Sequence, residues 1–201
     1  MNDYHHGDLR KALLEAAHEV LNEKGIHGLS LRGCAARAGV SHAAPSHHFK
    51  SLSGLLTELA VIAFGDFTAA LRRAYDEGDV KSSLQQRLQS AGDAYVQFAL
   101  GEPELFKLMF SSPLPDHKNE RLCEVSAQAY AELTRVVKPL CDLHGITDKA
   151  SVEQAEILAW STIHGYAHLS LKQMDTHGVC EDMRAGMPPM AILGSLFWRE
   201  E

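Results

Sequence analysis

Arg32, His42, His47, His48 and Lys50 fall within one short stretch of the chain, LSLRGCAARAGVSHAAPSHHFKSLSGLL, residues 29–56. Guanidinium, imidazole and ammonium groups at that density suit charge-assisted hydrogen bonding to phosphate and bidentate contact with base edges. Ser41 and Ser46 add hydroxyls, while Ala43 and Ala44 offer thymine-methyl contacts or simply permit close approach. Such groups act together only if a scaffold presents them on one surface, and the stretch supplies one. Ser30 caps a predicted helix whose Leu31, Cys34, Ala35 and Ala38 share a face, and Gly39 supplies the left-handed residue that ends it. Ser41 caps a second predicted helix, His42 to His48, which Phe49 anchors. Two helices joined through a glycine turn form the helix-turn-helix layout, whose second helix enters the major groove of double-stranded DNA.

A second set lies far along the chain. Trp160, His164 and His168 recur every four residues and so share one helix face. Three readings stay open: a core tryptophan with a hydrogen-bonded histidine, a pocket wall with His164 as its polar handle, and a two-ligand metal site with no evident third ligand. Phe106, Met109, Phe110 and Tyr130 are further effector-pocket candidates, although the same stripe describes plain core. No cofactor motif is visible, and no metal site is assigned.

Composition sets the frame for both. The 201 residues are 45% hydrophobic, enough for a sizeable core. No uninterrupted apolar run reaches the roughly 18 residues of a membrane helix. The polar start, MNDYHHGDLRK, lacks the apolar core of a secretion signal, so the expected location is cytoplasmic. Cys34, Cys123, Cys141 and Cys180 are scattered without a CxxC pair and read as small apolar fillers in a reducing compartment. A net charge of −7 argues against a protein that coats nucleic acid. Its distribution matters more. The first fifty residues carry six basic and five acidic side chains and seven of the 12 histidines, and the acidity belongs to the rest. A near-neutral, histidine-rich head suits a local reader of DNA.

The remaining chain reads as helix throughout, with Asp8 capping a first helix that Gly25 ends. A longer helix is predicted from Leu52 to about Tyr75, with Leu55, Leu56, Leu59, Ile62 and Ala63 inward, and it is the natural lever between head and body. Helices from Leu84 to Leu100 and from Pro103 follow, then a proline-bearing loop, SSPLPDHKNE. The next helix, Arg121 to about Leu143, should kink or end early at Pro139. Ser151 is the expected cap of a helix reaching about Met174, where Gly165 would let a neighbour approach. A last helix is expected over Met190 to Trp198. The fold class is all-α, with a DNA-binding domain over residues 1–51 and a helical effector-binding and dimerisation domain over 52–201.

These features resemble the tetracycline-repressor (TetR/AcrR) family of bacterial transcriptional regulators. The glycines, Ala35, Val40, Ser41 and Phe49 stand where that family's motif has them, and AWSTIHGYAHL, residues 159–169, is similar to its Trp-His-Gly C-terminal subgroup. The resemblance implies a homodimeric repressor that binds palindromic operator DNA and is released by a small apolar effector, with no membrane partner expected. It places Arg32, Ser41, His42, Ala43, Ala44, Ser46, His47, His48 and Lys50 at the DNA, and the dimer interface on helices at about 152–172 and 190–198. It also marks two departures. Ser46 stands where the family commonly has a phosphate-gripping tyrosine, and Leu52 where it commonly has a lysine, so Lys50 must supply part of that clamp. The rival readings are a helical metalloprotein or enzyme built on His164 and His168, and a helical ligand-binding adaptor without DNA binding. No nucleophile–base pair or HExxH arrangement supports an enzyme.

Overall fold

The computed structural model describes residues 6–76 and 83–175, which are helical with no strand among them. The helices are α1 (His6–Lys24), α2 (Leu31–Arg37), α3 (Ala44–Phe49), α4 (Leu52–Asp76), α5 (Leu84–Gly101), α6 (Pro103–Phe110), α7 (Glu120–Leu143) and α8 (Lys149–Asp175). The expected last helix, with its dimer candidates Leu193, Leu196, Phe197 and Trp198, lies outside the described residues, as does Cys180.

Several boundaries follow from single residues. Gly25 (φ 65°) closes α1, and Gly39 (φ 67°) closes α2, as their glycine types predict. After α2 the Val40 N–H donates to the Ala35 carbonyl at 3.0 Å and the Gly39 N–H to that of Ala36 at 3.2 Å. This paired closure satisfies two carbonyls that a helix end leaves open. Gly145 closes α7 the same way, with Ile146 N–H on the Cys141 carbonyl at 2.9 Å. Pro103 opens α6 in the first turn, where its missing N–H costs nothing.

Other boundaries differ from expectation. Helix α1 already runs from His6, so Asp8 lies inside its first turn. Asp148 rather than Ser151 caps α8, its carboxylate accepting from the Ser151 N–H at 2.9 Å. Helix α7 continues through Pro139 to Leu143, although the proline removes one backbone donor. Ile62 is 42% exposed rather than inward.

The chain forms two compact units. One comprises residues 1–65 and 102–126, the other 66–101 and 127–201. In the first, α1 packs on α2, α3 and α6, and α2 packs on α3. Leu13, Ala17, Leu21, Cys34, Ala35, Leu55, Leu56, Phe106 and Leu108 are fully or almost fully buried there. Each buried leucine or phenylalanine contributes about 1.5–3 kcal/mol of transfer free energy. In the second, α5 packs on α8, and Val137, Cys141, Ala155 and Ala159 form a cluster with Leu133, Ile146 and Val152 against it. By length and hydropathy α4 is the one described helix that reaches membrane-span proportions, and 61% of its most apolar window is buried inside the protein. That burial identifies a core helix.

Candidate DNA-binding face and the α8 ladder

The head is built from α2, the turn after it, and α3. Ser30 caps α2 as its type predicts, with its hydroxyl accepting from the Gly33 N–H at 3.1 Å. Helix α3 begins at Ala44, two residues later than the sequence reading, and Ser41 does not cap it through its side chain. The reason is Pro45. It lacks an N–H and fits only in a first helical turn, where that N–H would have no intrahelical partner. The helix therefore starts just before it, and the Ser41 carbonyl instead accepts from the Ala44 N–H at 3.0 Å in the preceding turn.

This shift sorts the expected contact residues. Arg32, Ser41, His42, Ala43, Ser46, His47 and Lys50 are exposed. Ala44 is 8% exposed and packs into the motif, which corrects its assignment to the DNA-facing start of the recognition helix. His48 is half-buried, its ring 6.1 Å from that of buried Phe49, so of the two adjacent histidines His47 is the outward one.

Lys50 sits in an unusual conformation, φ 64° and ψ −45°, and is the one described non-glycine residue with positive φ. Around it the Ser51 N–H donates to the Phe49 carbonyl at 2.7 Å, a γ-turn of the strained hand. Ser51 then caps α4, its hydroxyl accepting from the Gly54 N–H at 3.1 Å. A Cβ at position 54 would lie 2.1 Å from the Phe49 carbonyl oxygen, so only glycine lets α4 start this close to the end of α3.

Charge on the head is partly committed. The Arg37 guanidinium binds Glu19 at 3.0 Å and also Glu23, which raises the arginine's pKa and lowers that of Glu23. Arg10 pairs with Glu58, which Arg121 also reaches at 3.1 Å, while the Arg10 guanidinium lies 5.5 Å from the Phe49 ring centre. Arg32 and Lys50 make no ion pair among the described residues, so their charges face solvent. The acidic partners of Arg10 and Arg37 lie on other helices, 14 to 48 positions away in sequence, which no local pattern reveals.

The seven effector-pocket candidates divide between the units. Phe106, Met109 and Phe110 belong to the first, where Phe106 and Met109 are buried and Phe110 stacks at 4.9 Å on Phe106 and at 5.4 Å on Phe64. Tyr130, Trp160, His164 and His168 belong to the second, and there they form a continuous ladder with two residues the sequence reading missed. The Tyr130 hydroxyl donates to buried Glu156 at 2.8 Å, and the Tyr130 ring meets Trp160 edge-on at 6.3 Å. Trp160 contacts His164 at 5.9 Å, and His164 Nε2 lies 3.0 Å from His168 Nε2. Buried Tyr95 of α5 closes the set, with its hydroxyl 2.7 Å from His164 Nδ1. Glu156, Trp160, His164 and His168 thus form an unbroken four-residue rhythm along α8. Among the described residues nothing lies within 4 Å of a Cβ built at Gly165, so none of them makes the close helix approach expected there.

The electrostatics of the ladder follow from its burial. Desolvation, with a smaller repulsion from His168, lowers the His164 pKa to about 4, so its imidazole is neutral at physiological pH. Burial raises the Tyr95 pKa against a hydrogen bond from Trp160 that lowers it. The two contacts of His164, to the Tyr95 hydroxyl through Nδ1 and to His168 through Nε2, share the ring's single proton between them.

Comparison with known proteins places this architecture. Residues 13–59 match the family described as bacterial regulatory proteins, tetR family, and residues 88–184 match the tetracyclin repressor-like C-terminal domain. A solved protein of unknown function from Rhodococcus sp. RHA1 is 33% identical, covers 99% of this chain and 98% of its own, and superposes with a TM-score of 0.78. The transcriptional regulator FadR from Bacillus subtilis, solved in complex with stearoyl-CoA, shares the fold at 16% identity, with a TM-score of 0.64 over 93% of this chain and 95% of its own. The HTH-type transcriptional regulator BetI from Yersinia pestis (strain Pestoides F) is 28% identical over 49% of this chain and 58% of its own, so this chain spans little more than half of that curated relative. Both halves of the chain carry the family's domains, and its relatives are transcriptional regulators rather than enzymes. The chain belongs to the tetR family of bacterial regulatory proteins.

Proposed function

We propose that this regulator is a repressor that binds palindromic operator DNA as a homodimer and is released by a small apolar effector. The observation that carries the DNA reading is the head itself. Two short helices closed by Ser30 and Gly39 present Arg32, Ser41, His42, Ala43, Ser46, His47 and Lys50 to solvent together. Arg32 and Lys50 are the phosphate or guanine contacts, and His42 and His47 the adjustable ones. His48 supports the helix from beneath, and Ala44 packs it. The functional division at residues 51 and 52, head before and sensing body after, belongs to the same reading.

The homodimer is supported by α8, where Ile157, Leu158, Trp160 and Leu169 are 38–57% exposed. Large apolar side chains exposed along one helix favour association with a second copy. Two heads about 34–36 Å apart would enter successive major grooves of a palindrome. An effector that prefers another head spacing lowers DNA affinity by its own differential affinity, and DNA weakens the effector equally. FadR, which shares this fold, was solved with the long-chain ligand stearoyl-CoA, which supports an apolar effector for the body. Cytoplasmic residence follows from this role.

Fluorescence anisotropy on DNA immediately upstream of the coding region tests the reading. Saturable binding that competitor DNA of scrambled sequence does not relieve, with two chains per site, is the expected result. Binding no tighter than to scrambled DNA rejects it for that operator position, and a genome-wide selection of bound fragments that enriches no palindrome rejects it altogether.

A further inference from the structure

We propose that His164 and His168 form a two-point chelate for a divalent transition-metal ion, with Cu2+ the tightest binder. This goes beyond the DNA reading and does not depend on it. The two Nε2 atoms converge to 3.0 Å from successive turns of α8. Two imidazole nitrogens at about 2.0–2.1 Å from one ion, in neighbouring coordination positions, lie about 2.8–3.4 Å apart. The observed separation falls at the short end, nearest the right-angled arrangement that tetragonal Cu2+ prefers. Imidazole is a preferred ligand of copper, nickel and zinc, and copper stands highest in the affinity order for such a site.

The surroundings suit the ion as well. His164 Nδ1 has Tyr95 as its hydrogen-bond partner at 2.7 Å, the second contact that a ligating histidine requires to hold its ring. As a ligand, His164 carries its proton on Nδ1, donated to the Tyr95 oxygen, whose own O–H turns away from the ring, and its Nε2 lone pair is directed at the ion. His168 with its proton on Nδ1 does the same, so both rings bind as neutral imidazoles. No group of three or more His, Cys, Asp or Glu ligands gathers among the described residues, so of these His164 and His168 alone are assigned as ligands. Both histidines are half-buried, which leaves a path for ion and water.

Trp160 makes the site self-reporting, because its ring lies 5.9 Å from that of His164 and bound Cu2+ quenches indole fluorescence at such range. The chain has two tryptophans, Trp160 and Trp198, so Trp198→Phe leaves Trp160 as the sole emitter. Titrating that full-length protein with Cu2+ should give saturable quenching at one ion per chain, reversed by EDTA, with nitrogen couplings from two imidazoles in the electron paramagnetic resonance spectrum. His164→Gln and His168→Gln should each abolish the saturable phase, and Tyr95→Phe should weaken it about tenfold. His168→Gln leaves the Tyr95 contact in place and keeps the test valid if His164→Gln fails to fold. Quenching that never saturates, or that saturates alike in wild type and His168→Gln, overturns the site.

Discussion

The head and the α8 ladder both concentrate histidines, and they hold them by opposite means. In the head, His42 and His47 stand in solvent on helices whose ends are set within a few residues, by the Ser30 cap and the Gly39 and Pro45 breaks. In the body, His164 is held by Tyr95 from a helix sixty-nine positions away in sequence and by Trp160 and His168 on its own helix. The first arrangement leaves side chains available to a partner. The second commits them to each other and, by burial, disfavours a proton on His164. One region is built to be completed by an external polyanion, whereas the other is already internally satisfied and must be rearranged to bind anything.

Perturbing each region should expose this contrast, beginning with the greatest effect. Gly54→Ala places a methyl against the Phe49 carbonyl, a backbone atom that cannot swing aside. It should destabilise the protein by about 3 kcal/mol, because overpacking of this kind is relieved only by shifting helices. Urea denaturation measures it, and a loss below about 1 kcal/mol would show that the α3–α4 approach is looser than described.

Tyr95→Phe strikes the ladder instead. It leaves His164 Nδ1 without its partner in a half-buried site, at a cost of about 1–2 kcal/mol. The same melt detects it, and DNA affinity measured on folded protein should be unchanged. Altered DNA affinity at constant stability would mean that the two regions are not separable in this way.

Acid should act on the body in the same sense. The unfolded His164 binds a proton near pH 6.5, and the folded one only near pH 4. Between those values the unfolded state holds more protons, so stability falls as pH is lowered through that window. In the metal-free protein, His164→Gln should flatten this part of the pH–stability curve. A curve of identical slope in the variant would place the acid sensitivity elsewhere.

Lys50→Gly produces the smallest change in stability and the most instructive one. Glycine accepts the positive φ at position 50 at little cost, so the variant should gain about 0.5–1 kcal/mol while losing a head charge. Higher stability with weaker DNA binding would identify Lys50 as a strained residue kept for contact. Lower stability would assign its conformation to packing.

How far the sequence was legible follows the same division. Local signals carried the all-α class, the Ser30 cap, the glycine ends of α1 and α2, Pro103 at the start of α6 and the span of α4. Each depends on residues within one or two turns, where side-chain type dictates backbone geometry directly. Ser41 predicts a cap with the helix starting at His42, yet Pro45 moves the start of α3 to Ala44 and carries Ala44 inward. Two local preferences competed there, and the proline, having no alternative conformation, prevailed. Asp148 displaced Ser151 at the start of α8 for a related reason, since a carboxylate is the stronger acceptor at a helix's positive end. What stayed hidden is long-range. Tyr95 and Glu156 carry no motif, and only the packing of α5 and α7 against α8 reveals them as partners of His164 and Tyr130. The loop after α6 is a similar case. Its Leu114 carbonyl accepts from Ser53 at 2.7 Å and its Asp116 N–H donates to Thr57 at 2.8 Å, so a segment that reads as solvent-facing is tied to the first turns of α4.

The central claim is that the exposed face of the head reads DNA through Arg32 and Lys50. Its most direct test is the salt dependence of DNA affinity for wild type, Arg32→Ala and Lys50→Gly, by anisotropy between about 50 and 200 mM salt. Wild type should show a steep slope, reduced by about one for each phosphate contact removed, with the variants' weaker binding shared across DNA sequences. Affinity and slope unchanged in both variants would contradict it.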